Sequence, residues 1–193
     1  GFVVMENVPQ AVKAGSYQRA LGMLQEFGYS VGTIVLDASK CGVPQRRKRL
    51  FALGFEDADV VEYVLGLLES EQDDVSLTVR EYFGDGLEFD HYYNPPRSYA
   101  RRGVFSVDEP APTLRGVNRP VPPGYVPHRG DTAPIEGVRA LTYRERAAIQ
   151  TFPDDFEFLG SKTNVEQMIG NAVPVNLGLF VAERVRRGLE LLG

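Results

Sequence analysis

The sequence predicts an α/β domain joined to a small, loop-rich unit, and three observations lead there. Apolar runs of strand length (Phe2–Met5, Val31–Leu36, Leu50–Phe55) alternate with amphipathic stretches of helical period. From about Val75 to Gly137 that periodicity lapses, and prolines and glycines cluster. Helical spacing returns at Thr142 and continues to the end. The expected divisions are 1–75 for the sheet portion, 76–138 for the loop-rich unit, 139–169 for supporting helices and 170–193 for a last helix returning to the sheet.

Phe2-Val3-Val4-Met5 is continuously apolar, the pattern of a strand buried on both faces. It leads into Glu6-Asn7-Val8-Pro9. In open sheets ligands bind beyond the carboxyl ends of strands, so Glu6 is placed for chemistry. The same residue would also serve as a capping or loop carboxylate. Ser16 to Phe27 reads as a helix with Leu21, Leu24 and Phe27 on one stripe, Ser16 as N-cap and Gly28 just past its end. Strands follow at Val31–Leu36 and, after the Val43-Pro44 turn, at Arg47–Phe55, then a helix at Ala58–Leu68. This order describes part of a sheet, expected to belong to a longer protein or to one partner of a split one.

The stretch Gln45-Arg46-Arg47-Lys48-Arg49 enters the third strand. Period two sets Gln45, Arg47 and Arg49 on one face and Arg46 and Lys48 on the other. The first face offers an amide and two guanidiniums in a row of roughly 13 Å, at about 3.3 Å per residue. Guanidinium forks suit a planar base edge or successive phosphates. A solvated basic edge strand would carry the same residues.

In the loop-rich unit, Arg97, Arg101, Arg102, Arg115, Arg119 and Arg129 face only Asp108 and Glu109, whereas acids crowd Glu56 to Asp90. The net charge of -5 is therefore unevenly spread, and a local basic field can bind phosphate. Tyr92, Tyr93, Tyr99 and Phe105 lie among these arginines, a mixture that offers charge to phosphates and flat faces to bases. Thr142-Tyr143-Arg144-Glu145 and Thr163-Asn164-Val165-Glu166 read as capping boxes. Pro174 suits the first turn of a last helix, Val175–Leu192.

Composition excludes other classes. At 43% apolar over 193 residues the chain can bury a core, and no apolar run is long enough to span a bilayer. One cysteine, Cys41, rules out a disulfide framework and fits a reducing, cytoplasmic compartment. His91 and His128 lack metal-ligand spacing, so no metal is expected.

Four separated blocks resemble the DNA cytosine-5 methyltransferases, in that family's order. Phe2-Val3-Val4-Met5-Glu6-Asn7-Val8 is similar to its glutamate-asparagine-valine motif, and Gly42 through Arg49 to its glutamine-x-arginine-x-arginine motif. Arg139 through Glu145, running on to Gln150-Thr151-Phe152-Pro153, resembles the support of the target-recognition domain. Gln167 through Pro174 resembles the last motif, which returns to the cofactor. Pro112-Thr113-Leu114-Arg115 is similar to a threonine-leucine element of the recognition domains.

The resemblance implies the C-terminal part of a Rossmann-like, S-adenosylmethionine-dependent fold with 76–138 as target-recognition domain. The family's glycine-rich cofactor loop and proline-cysteine nucleophile precede the Glu6 block, so a partner N-terminal half is implied. Cys41 lacks the preceding proline and reads as a small buried thiol. In the implied reaction a cysteine thiolate adds to C6 of a cytosine flipped out of double-stranded DNA. Glu6 is then the acid acting at N3, with Arg49 and Arg47 on the base oxygen and neighbouring phosphate. Asn171 and Ala172 would meet S-adenosylmethionine through polar backbone groups. Gln45 would support the loop and, with Thr113, Leu114 and Arg115, serve DNA binding. The alternative is a DNA-binding remnant without catalysis.

Overall fold

In a computed structural model describing residues 1–98 and 100–192, a three-stranded sheet is sandwiched between helices. Tyr99, among the aromatics named above, lies outside the described residues. Strands β1 (Phe2–Asn7), β2 (Ser30–Asp37) and β3 (Lys48–Phe55) are ordered β1-β3-β2, and β3 runs antiparallel to both neighbours. This register sets the carboxyl end of β1 against the start of β3, with Glu6 opposite Phe51 and Asn7 opposite Leu50. The acid and the basic run are thus made neighbours by strand pairing alone.

Side-chain alternation assigns the two faces. Met5, Leu50 and Ala52 meet Tyr17 and Leu21 of helix α1 (Gly15–Glu26). Leu36, Phe51, Leu53 and Phe55 meet α2 (Ala58–Ser70) and α6 (Val175–Leu189) through Val60, Val61, Val64, Leu177, Val181 and Val185. The α2–α6 contact is close enough that a Cβ on Gly188 would lie 2.3 Å from Val64 Cγ2. The β1 run is not buried on both faces: Phe2 and Val4 are 48% and 40% exposed. Their strand is at the sheet edge, while α2 lies over β2 and β3.

The loop-rich stretch has its own core of Val79, Tyr92, Phe105, Val107, Leu114, Leu141 and Ile149. Short strands β4 (His91–Tyr93) and β5 (Val104–Ser106) form a hairpin, after helix α3 (Val79–Phe83) with its Thr78–Glu81 capping box. Tyr92 and Phe105 are buried there and Tyr93 packs edge-on against Tyr125, so these rings do not offer stacking faces to bases. Helix α4 (Tyr143–Ile149) carries the expected capping box of Thr142 and Glu145. Helix α5 (Lys162–Asn171) starts earlier than the sequence pattern suggests. Ser161 caps it, and Glu166 turns inward to Arg146 rather than back to Thr163. Helix α1 starts at Gly15 without a side-chain cap, so Ser16 is inside it.

Candidate active site and nucleic-acid cleft

The face shared by Gln45, Arg47 and Arg49 is real: all three turn inward while Arg46 and Lys48 are exposed. Their partners differ sharply. Arg49 Nε lies 2.7 Å from Glu6 Oε1, with side chains 12% and 29% exposed, and its Nη1 donates to the Lys48 carbonyl at 2.8 Å. Burial lowers the Arg49 pKa below its ordinary value, outweighing the Glu6 carboxylate that favours the cation.

Arg47 is 1% exposed. Its Nη1 donates to the Leu114 carbonyl (2.9 Å) and its Nη2 to those of Gly170 (2.8 Å) and Ala172 (2.9 Å). Burial brings its pKa down to about 10; the Arg49 charge adds to that and Glu6 opposes it. A guanidinium held this way clamps backbone. It does not present donors to a base or phosphate as the sequence pattern suggests.

Gln45 keeps the loop-supporting part of its expected role and loses the DNA-binding part. It is fully buried, donates Nε2 to Gln150 Oε1 at 3.1 Å and accepts the Leu114 amide at 3.0 Å, so it supports a loop and cannot touch DNA. Leu114 is 1% exposed and belongs to the core. Thr113 is exposed, and its hydroxyl donates to the Arg46 carbonyl at 2.8 Å. Arg115 donates to the Pro95 carbonyl. Ala172 has both polar backbone groups engaged, its amide on Met168 and its carbonyl on Arg47, and is not free to hold a cofactor. Asn171 is exposed at the cleft wall.

These contacts make one joint. Gly170 lies so close to the Leu114–Gly116 segment that a Cβ there would be 2.1 Å from Gly116 N and 2.2 Å from Arg115 C. Arg146, paired with Glu166 at 2.7 Å in the interior, donates to the Arg115 carbonyl. A parallel bridge between Gln45 and Ala111 completes it. Sequence reasoning missed the Arg146–Glu166 pair, because nothing in a helical arginine announces burial.

Beside the joint opens a cleft of about 1210 Å³ between the sheet portion and the hairpin unit. Its lining includes Arg46, Arg47, Lys48, Arg49, Arg97, Arg101, Arg102 and Arg115, against one carboxylate among the described residues, Asp37. On a chain of net charge -5 this is a concentrated cationic field. Cys41 takes no part: it is 3% exposed in the main core. Burial pushes its thiol up to about 12, with Asp37 and Asp73 adding and Arg184 opposing. Among the described residues no His, Cys, Asp and Glu side chains group as a metal site, and no helix is long and apolar enough to cross a membrane.

A basic cleft beside an arginine-held carboxylate, on an α/β scaffold, is a surface suited to an anionic, phosphate-bearing partner. The family model of the C-5 cytosine-specific DNA methylases matches residues 1–187, and the chain belongs to that family. It is 51% identical to the type II methyltransferase M.HgiDI of Herpetosiphon aurantiacus, over 98% of this chain and 61% of that protein. It is 48% identical to M.HindV of Haemophilus influenzae, over 95% of this chain and 61% of that protein. The chain thus spans about three fifths of the length of these relatives. In fold it is similar to the Entamoeba histolytica methyltransferase EhMeth (TM-score 0.67, 16% identity, 97% of this chain and 63% of that one). It is also similar to the S. pombe Dnmt2 methyltransferase (TM-score 0.62, 16% identity, 98% and 67%).

Proposed function

We propose that the chain is the C-terminal portion of a DNA cytosine-5 methyltransferase, acting with an N-terminal half that carries the cysteine nucleophile and the cofactor loop. The observation that carries this reading is the Glu6–Arg49 pair beside a cleft whose lining, among the described residues, has eight basic side chains and one acid. Cytosine C5 is a poor nucleophile until a thiolate has added at C6, and that addition needs the ring polarised at N3. Glu6 supplies the polarising proton or hydrogen bond. Arg49 holds one carboxyl oxygen of Glu6 at 2.7 Å, so the other is aimed by the pair and not by a free rotor. The cationic walls take the phosphates flanking a base that has left the helix.

S-adenosylmethionine, when bound, supplies the methyl group. The residues present fit it in part: Asn171 faces the cleft from the end of α5, whereas the polar backbone groups of Ala172 are engaged elsewhere. The remainder of its cradle belongs to the N-terminal half in this reading, and restriction-modification is the setting that the relatives' names suggest.

Methyl transfer from labelled S-adenosylmethionine to mixed duplex DNA tests this. The chain is assayed alone and with the portion of the Herpetosiphon relative outside the matched stretch. Transfer should appear with that portion and fall by about 10²- to 10⁴-fold in Glu6→Gln. A folded assembly that transfers nothing would leave a DNA-binding remnant in place of an enzyme.

A further inference from the structure

The segment joining α4 to α5 holds three acids and no base, and apolar side chains are interleaved with them through Asp154-Asp155-Phe156-Glu157-Phe158-Leu159. It lies apart from the cationic cleft. Gly170 and Asn171 line that cleft at one end of α5, and Ser161 stands at the other end, roughly 15 Å away at the rise of an α-helix. Among the described residues no member of 143–161 lines the cleft.

The segment has a defined shape. Phe152, Phe156 and Phe158 pack on one another with ring centroids 4.8, 4.9 and 5.1 Å apart, and Phe152 and Phe158 rest on Ala147, Val165 and Ile169. Phe156 N closes a turn on Pro153 O at 3.0 Å. Arg144 pins the same turn, with Nη1 donating to the carbonyls of Asp154 at 3.3 Å and Phe156 at 3.2 Å. What this scaffold turns outward is apolar: Phe156 is 43% exposed and Leu159 80%. Tyr82 of α3 lies near the same carboxylates, its pKa raised by burial first and then by the charge of Asp154. Asp154, Asp155 and Glu157 are exposed and have no ion-pair partner among the described residues.

An apolar patch held open by its own scaffold is the mark of a surface that something covers, and the acids around it select what does. They repel a phosphate backbone. They attract guanidinium and ammonium groups, whose charge also suits aromatic faces and whose aliphatic stems cover apolar surface. Arg144 already shows the fit, since its guanidinium lies 5.3 Å from the centre of the Tyr143 ring while it holds the turn.

We propose that the Asp154–Leu159 surface docks a basic segment of a partner protein, with arginine or lysine on the free carboxylates and an aliphatic side chain against Phe156 and Leu159. This goes beyond the methyltransferase reading and leaves the cleft open to DNA. The probe is a short fluorescent peptide alternating arginine with leucine, titrated with the chain and followed by anisotropy. Binding should saturate at one site, and peptides with glutamine for arginine or serine for leucine should not bind. Leu159→Ala should weaken it by roughly 5- to 50-fold. Asp155→Asn with Glu157→Gln should weaken it by roughly 2- to 20-fold, and by less as salt rises. Glu62→Gln with Glu69→Gln, on the exposed side of α2, should leave it unchanged. Absence of saturable binding, binding by either control peptide, or an equal loss in the α2 variant overturns the proposal. So does protection of the 154–159 amides from exchange by the complementing portion of the Herpetosiphon relative, because the surface would then belong to the enzyme's own interior. Failure of the methyltransferase reading shows separately, as absent methyl transfer by the wild-type assembly whatever the peptide does.

Discussion

Arg47 and Arg49 sit two residues apart on one strand face, and their environments give them opposite duties. Arg49 meets a carboxylate at the cleft, whereas Arg47 meets three carbonyls from two distant segments. The shared face was legible from period two; the destinations were not, because Leu114 and Gly170 come from segments far along the chain. Cys41 shows the same limit from the other side. Its lack of a preceding proline marked it as structural, and the fold makes it inert by burial. The unfolded thiol loses its proton near 8.5, roughly. The folded one keeps it to about 12. The stability this contributes is complete below the unfolded value and is lost as pH climbs through that window. At pH 8 iodoacetamide should modify the native chain roughly 10³-fold more slowly than the urea-unfolded chain. Equal rates would show an open thiol.

Among the elements, those with strong local signals follow the sequence closely: β2, β3, α2 and the capping box of α4. The last helix shows what local signals omit. Its Pro174 N-cap has no side-chain acceptor, and the segment after α4 supplies one. The Gln150 carbonyl takes Val175 N at 3.0 Å and Thr151 Oγ1 takes Asn176 N at 2.9 Å. Thr151 adopts φ 59° to do so, a region that β-branched residues rarely enter. Gly170, one turn earlier, lies in the last turn of α5. Its actual requirement is close approach to Arg115 and Gly116. Gly170→Ala should therefore cost about 1–3 kcal/mol through overpacking. It should also raise amide exchange over 114–116 before it affects the sheet. Unchanged exchange there would mean that the two backbones part without cost.

At the scale of the whole molecule, charge is sorted: acids lie along 56–90 while the basic side chains gather in the cleft. The composition alone showed that asymmetry, and the cleft adds that both units contribute to one cationic surface. What holds the units in register is the joint, and Arg47 is its centre. Its guanidinium ties the start of β3 to the hairpin unit through Leu114 and to the turn before α6 through Gly170 and Ala172. Arg47→Met keeps much of the side-chain volume and removes every donor, leaving buried carbonyls unbonded at about 1–3 kcal/mol each. Because those carbonyls belong to different units, the loss should fall on their coupling more than on either core. Urea unfolding is read by far-UV circular dichroism and by fluorescence of the remaining tyrosines in a background where Tyr17, Tyr29 and Tyr63 of the sheet portion are changed to Phe, and the two curves should coincide when Arg47 is in place. In Arg47→Met the tyrosine signal should change first, at lower urea. Coincident curves with an unshifted midpoint would show that the Gln45–Ala111 bridge and the buried Arg146–Glu166 pair hold the units together without Arg47.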